Sequence, residues 1–193
     1  MFAVIGAHPD DAELGAGGFL ARYGGIIISM TNGENHTRDK RVAVKEQELS
    51  AEIIGVKWYH LDNAELTVVT QKLVGELDRI IAENDVQGVI THAPDNSNQE
   101  HTLASQAAYA ASRRLGNLLY FEPIPPEWAS FNPVMYCDIS DFQKKYQALD
   151  CYKSQMWRRG QSLLYTRMAL DSYRGKQIGV ERAESYQVVR WVV

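Results

Sequence analysis

The sequence predicts an α/β chain: a Rossmann-like, doubly wound and mostly parallel sheet of strand order 3-2-1-4-5, with a C-terminal α+β extension. Three observations point there. Through the first two thirds, short apolar runs alternate with stretches of helical periodicity, as strands and helices taking turns would. Runs such as Ile26 to Met30 are of the continuously buried, parallel type. The 193 residues, 45% hydrophobic and 23% charged, suffice for one well-buried α/β domain and are too few for two comfortable ones. We therefore expect a single domain over residues 1–193, with the Rossmann-like core in 1–122 and the extension in 123–193.

The elements follow in order. Phe2 to Ala7 is the first strand. Leu14 to Tyr23 reads as a helix closed by Gly24 and Gly25, and Ile26 to Met30 as the second strand. Val44, Leu49, Ile53 and Ile54 recur at helical spacing within Lys40 to Ile54, with Gly55 as a C-terminal stop. Val56 to Leu61 is the third strand. Leu73, Leu77, Ile80 and Ile81 make Gln71 to Asn84 an amphipathic helix, and Gly88 to Thr91 gives a fourth strand. A helix over Glu100 to Leu115 leads into Leu118 to Phe121, the fifth strand. Beyond the turn Pro123 to Pro126 come a strand at Val134 to Asp138, helical stretches at Asp141 to Lys153 and Gln161 to Asp171, and a last strand from Tyr186.

Composition excludes several function classes. A formal net charge of -4, with Lys and Arg scattered along the chain, leaves no basic field for a nucleic acid. No charged leader and no apolar stretch near the roughly 18 residues of a membrane span precede or interrupt the pattern, so the chain reads as cytoplasmic with no membrane partner. Cys137 and Cys151 lack the spacing of a cysteine zinc site and read as packing residues. Trp128, Phe131, Tyr136 and Trp157 form an aromatic-rich stretch whose irregular spacing favours core, with a sugar-facing wall or a homo-oligomer contact as the other readings.

The chemistry gathers in two segments. Ala7-His8-Pro9-Asp10-Asp11-Ala12-Glu13 follows the first strand, where loops at carboxyl ends build the sites of open α/β sheets. An imidazole and a carboxylate on a turn entering a helix can face one centre, and His8 and Asp11 are both zinc-type ligands. Asp10 stands beside them with no Lys or Arg between residues 1 and 21, placed to take a proton from water. A bland account makes one aspartate a helix cap; it leaves His8 unexplained. Gly15, Gly17 and Gly18 hint weakly at a phosphate loop, against the order of the glycines and the acids before them.

The second segment, Thr91 to His101, follows the fourth strand. In the order 3-2-1-4-5 strands one and four are neighbours, so the two segments meet at the switch point. His101, at the start of the next helix, is the third ligand of choice, giving a His2Asp set with open positions, as catalytic zinc sites have. His92, at the strand end, is the competing candidate and reads more naturally as a residue supporting the ligands. His36 and His60 carry no such context. Arg38, Arg41 and Lys45 follow the second strand, where a cation could hold a sugar hydroxyl or an acidic aglycone; a solvated helix face accounts for them equally well.

These residues resemble the LmbE-like, or PIG-L, family of zinc-dependent sugar de-N-acetylases, marked by A-H-P-D-D-x-E after the first strand and a later segment near H-x-D-H. The likeness continues through Leu14 to Gly18, Thr31-Asn32-Gly33-Glu34, the helix ending at Gly55, and Arg174-Gly175 to Ala183-Glu184. It implies one zinc per chain on His8, Asp11 and His101, Asp10 as general base, and a small acetylated amino sugar, of N-acetylglucosamine type, as substrate. Such N/O ligand sets also accept other divalent ions.

One departure stands out: Asn98-Gln99-Glu100-His101 has Asn98 where the family shows histidine and Glu100 where it shows aspartate. An amide donates a hydrogen bond to an oxyanion but delivers no proton at neutral pH. Glu100 keeps the charge and can orient an imidazole through its second nitrogen. Rival readings are an amidase or esterase with the same site and a non-sugar substrate, a metal-binding protein with impaired turnover because of Asn98, and a Rossmann-type nucleotide module, which the Asp10-Asp11 pair disfavours.

Overall fold

In the computed structural model, which describes residues 1–34, 38–124, 130–139, 142–156 and 162–192, the chain alternates strands and helices for most of its length. The elements are β1 (Phe2–Gly6), α1 (Asp11–Tyr23), β2 (Ile26–Thr31), α2 (Lys40–Ile54), β3 (Lys57–Asn63), α3 (Gln71–Glu83), β4 (Gly88–His92) and α4 (Gln99–Ala111). There follow β5 (Asn117–Phe121), β6 (Met135–Asp138), α5 (Phe142–Asp150), α6 (Lys153–Met156), α7 (Ser162–Gln177) and β7 (Ala183–Arg190). Seven strands form one sheet in the order β3-β2-β1-β4-β5-β7-β6. The first five pair in parallel as 3-2-1-4-5, while β7 runs antiparallel to β5 and β6 antiparallel to β7.

Alternate residues of each strand serve opposite faces, because successive side chains point to opposite sides of a pleat. Ala3, Ile5, Ile28 and Val89 pack under α3 and α4, against Leu77, Ile80, Ala104 and Ala108. Val4, Ile27, Ile90 and Leu119 pack with Phe19 and Leu20 of α1 and Ala148 of α5 on the other face. Burial on both faces is why these strands read as unbroken apolar runs. Cys137 and Cys151 are free thiols, the first buried.

Several boundaries differ from the pattern-based expectation. Strand one ends at Gly6, and α1 begins at Asp11 rather than Leu14, because its first turn carries Asp11 and Glu13, which apolar periodicity does not register. The stretch expected as one helix to Lys153 stops at Asp150, and a separate turn spans Lys153–Met156. The last strand starts at Ala183, and it covers the edge of β5 that would otherwise be bare. Gly15 and Gly18 are packing glycines: a Cβ on Gly15 would lie 2.3 Å from Phe121 Cγ, and one on Gly18 2.2 Å from Ile139 Cγ2. Among the described residues, no helix is long and apolar enough to cross a membrane.

Candidate metal centre

The pairing of Ile5 with Thr91 brings the carboxyl ends of β1 and β4 side by side, so the segments that follow them converge. His8 lies on the turn before α1, Asp11 opens that helix, and His101 sits in the first turn of α4. Each offers a ligand atom, and the three atoms all lie within 4.8 Å of one another. Asp11 is the hub. Its Oδ2 accepts from the His8 backbone N–H at 2.7 Å and lies 3.4 Å from His8 Nδ1, while Oδ1 lies 3.4 Å from His101 Nε2. His8 Nε2 is 2.6 Å from Glu100 Oε2, so Nδ1 is the nitrogen on the Asp11 side.

Charge is unevenly distributed here. Burial disfavours a charged His8, but hydrogen bonds to Asp11 and Glu100 outweigh it and raise its pKa to about 10. Burial also works against an ionised Asp11, yet the pull of His101, with hydrogen bonds from His101 and His8, holds its pKa well below the carboxylate range. A cluster that draws a proton onto an imidazole this strongly is one that a divalent cation would satisfy.

Asp10 occupies φ 116°, ψ -29°, the left-handed region that a side chain rarely adopts. Such strain costs on the order of 1–3 kcal/mol and survives where the surroundings enforce it. Although Asp10 holds the N-cap position of α1, its side chain makes no cap hydrogen bond, which removes the bland account for this residue. It is buried, and burial followed by the charge of Asp11 raises its pKa to about 7, against the opposing charges of Arg38 and His8. Asp10 lines a pocket of about 430 Å³ together with His8, Asp11, His101, Asn98 and Arg38.

Around this group the other expected residues fall in different places. Glu100 bridges His8 to the Leu66 backbone N–H, which donates to Oε1 at 2.7 Å. The His8 hydrogen bond lowers its pKa. Asn98 reaches the pocket, and its Oδ1 accepts from the Glu100 backbone N–H at 3.0 Å, capping α4. His92 stacks on His101 with centroids 4.1 Å apart, and burial, then the His101 charge, lower its pKa to about 4, so its ring is neutral. Its Nε2 lies 3.1 Å from Asp11 Oδ2 and 3.2 Å from the Ala7 backbone N.

Arg41 is not brought to the site: its side chain is 92% exposed and pairs with Asp39. Arg41 follows the Asp39 cap of α2 and faces solvent, whereas Arg38 precedes the cap and is buried. Arg38 Nε donates to Gly33 O at 2.8 Å, and Nη1 lies 3.7 Å from Glu46 Oε2. His60 lies on β3, stacked on Trp58. His36, Trp128 and Trp157 lie outside the described residues.

Sequence reasoning gave Glu13 no role. It is fully buried, and its Oε1 accepts from Gln47 Nε2 at 2.8 Å, Ser50 Oγ at 2.8 Å and Tyr152 OH at 2.7 Å. Burial raises its pKa. These contacts tie the first turn of α1 to α2 and to the Tyr152 turn. A carboxylate two residues beyond Asp11, in a helix that must bury its face, was the available signal.

The family model described as PIG-L, GlcNAc-PI de-N-acetylase, matches residues 3–112, the stretch that holds both motif segments. The chain belongs to the PIG-L family. The uncharacterized deacetylase YaiS of Escherichia coli (strain K12) is 32% identical over 165 residues, which is 78% of this chain and 89% of YaiS. The N,N'-diacetylchitobiose deacetylase of Pyrococcus horikoshii shares the fold with a TM-score of 0.81 at 21% identity, covering 98% of this chain and 83% of that one. GalB, the 4-carboxy-2-hydroxymuconate hydratase of Pseudomonas putida KT2440, shares it with a TM-score of 0.86 at 20% identity, covering 99% and 96%. One PIG-L-like architecture thus carries a deacetylase and a hydratase, and the fold alone does not choose between them. Membership of the PIG-L family places this chain among de-N-acetylases, hydrolases of the acetamide bond.

Proposed function

We propose that this chain is a zinc-dependent de-N-acetylase of small N-acetylglucosamine-type sugar conjugates. The observation that carries the reading is the His8, Asp11 and His101 donor group beside a buried, strained Asp10 in one pocket of a PIG-L chain. Two imidazoles and a carboxylate suit zinc, and the surplus negative charge that protonates His8 fits a divalent ion in the proton's place. A zinc ion held there supplies Lewis-acid chemistry, polarising an amide carbonyl and acidifying water.

The side chains do the rest. Glu100 accepts from His8 Nε2–H and so turns Nδ1 towards the ligand group. Asp10, buried beside the ligand group in the same pocket, takes a proton from the water that adds to the acetamide carbon. When the C–N bond breaks, Asp10 returns that proton to the leaving amine, and acetic acid carries away the water's oxygen with its second proton. Asn98 spends its Oδ1 on the α4 cap, which leaves its NH2 to donate to the developing oxyanion. Leu14, Phe121 and Ile124 add apolar side chains to the polar lining of the pocket, a mixture that suits a sugar ring. YaiS supports deacetylation over hydration, and the N,N'-diacetylchitobiose deacetylase supports an acetylated amino sugar as the substrate.

The test is amine release from N-acetylglucosamine and its simple glycosides, run beside simple acetyl esters, before and after chelation. Release from the sugars that chelation abolishes and zinc restores is the expected result. Turnover of esters alone would replace the sugar with a non-sugar substrate, and turnover indifferent to chelation would remove the metal.

A further inference from the structure

The stretch Arg174-Gly175 to Ala183-Glu184 has no part in the chemistry above. In the fold it joins α7 to β7, and Glu184 is fully buried. Its Oε1 accepts from the Gly18 backbone N–H at 2.7 Å and its Oε2 from the Phe19 N–H at 2.8 Å. Both donors lie inside α1, where an unbroken helix would send them to the carbonyls of Leu14 and Gly15. The helix is broken. Ala16 has φ -146° and ψ 24°, and a second helical segment starts beyond it. Glu184 caps that second segment from a different strand, with a carboxylate at the end of the helix that favours negative charge.

Glu184 is itself fixed in place. Lys145 Nζ lies 2.8 Å from its Oε1, and Tyr186 OH donates to its Oε2 at 2.7 Å. The fully buried Lys145 pairs also with Asp171, at 3.0 Å. Small residues admit this cluster to the helix: a Cβ on Gly17 would stand 3.1 Å from Lys145 Cγ, and one on Gly18 3.1 Å from Glu184 Oε1. Upstream of the break, the turn bearing Asp10 and Asp11 is tied down through Glu13. The bend at Ala16 therefore sets how that turn is aimed relative to the packed body of α1.

We infer that Glu184 is a positioning residue of the metal centre: by capping the second half of α1 it holds the break at Ala16, and with it the placement of Asp10 and Asp11. It acts only through α1. The inference rests on His8, Asp11 and His101 being the zinc ligands, as proposed above.

Glu184→Gln keeps the side chain's size but turns an amide NH2 towards one of two backbone donors and deprives Lys145 of a carboxylate. Zinc dissociation constants from chelator competition, kcat, KM and Tm are measured on the full chain, well below the Tm. The expected result is zinc binding about tenfold weaker and kcat about tenfold lower at unchanged KM, within the range seen for groups that support metal ligands. Glu184→Asp, which keeps the charge, should fall between it and wild type, and it carries the test if the Gln variant does not fold. Arg174→Met, at the far end of the same ionic cluster, should lower Tm while keeping wild-type zinc affinity and kcat. A Glu184→Gln variant that only melts earlier, with zinc affinity and kcat intact, overturns the inference. Wild type that takes up no zinc overturns the ligand reading instead, and the inference with it.

Discussion

Two groups of charges contact α1, one at Asp11 in its first turn and one at Gly18 and Phe19 beyond the break, and they are built on opposite principles. Lys145, Arg167 and Arg174 face Asp171, Glu184 and Glu122, three cations to three carboxylates, each within 4.0 Å of a partner. The metal centre gathers Asp10 and Asp11 in the pocket, with Glu100 on His8 and Glu13 beside Tyr152; Glu122 of the first cluster also lines the pocket wall, and Arg38 is the one Lys or Arg among the described lining residues. The first cluster neutralises itself and joins α5, α7, β5 and β7. The second is left with charge to be met from outside, and His8 meets it with a proton in the absence of a metal. A balanced buried cluster is architecture; an unbalanced one is poised for a cation.

The difference can be broken most forcefully from the balanced side. Arg174→Met leaves Glu122 buried without its main partner and should cost about 3–5 kcal/mol in denaturant unfolding, with zinc stoichiometry unchanged. Loss of zinc in that variant would mean that the two clusters are one. On the unbalanced side, the proposed role of Asp10 as base and not ligand predicts that Asp10→Asn lowers kcat by about 100-fold or more while zinc content holds. Intact turnover would remove Asp10 as the base.

The pH dependence separates the two clusters further. His8 has its pKa raised from 6.5 to about 10 in the fold, so the folded chain keeps a proton that the unfolded chain gives up. The stability this contributes is fully present below 6.5 and is lost as pH rises through about 10. Thermal melts of the chelated protein should therefore lose Tm across that window, and zinc, which takes the proton's place, should flatten the loss. An equal loss with zinc bound would contradict the exchange of proton for metal. The smallest effect on stability is expected at Asn98→Ala, which removes the α4 cap and should cost about 1 kcal/mol by denaturant titration, while loss of the proposed oxyanion donor should lower kcat by about 100-fold.

Much of this was legible in the residues. The runs Ala3 to Ile5, Ile26 to Ile28 and Val89 to Ile90 announced buried parallel strands, and their order predicted that His8, Asp11 and His101 would meet. What stayed hidden depends on contacts between distant segments. The break at Ala16 leaves no trace in apolar periodicity, because it is stabilised by Glu184, 168 positions away, rather than by its own neighbours. Arg41 and Arg38 look alike in sequence, and only the placement of the Asp39 cap sends one to solvent and the other into the pocket. The attachment of β7 to β5 likewise follows from an edge that needed covering.

The account turns on the unbalanced cluster holding a metal, and calorimetric titration of zinc into chelator-treated protein tests that most directly. One zinc per chain, with uptake lost in Asp11→Ala and His101→Ala and kept in Asp10→Asn, is the predicted result. A wild-type chain that binds no zinc, or that binds it equally well without Asp11, would contradict it.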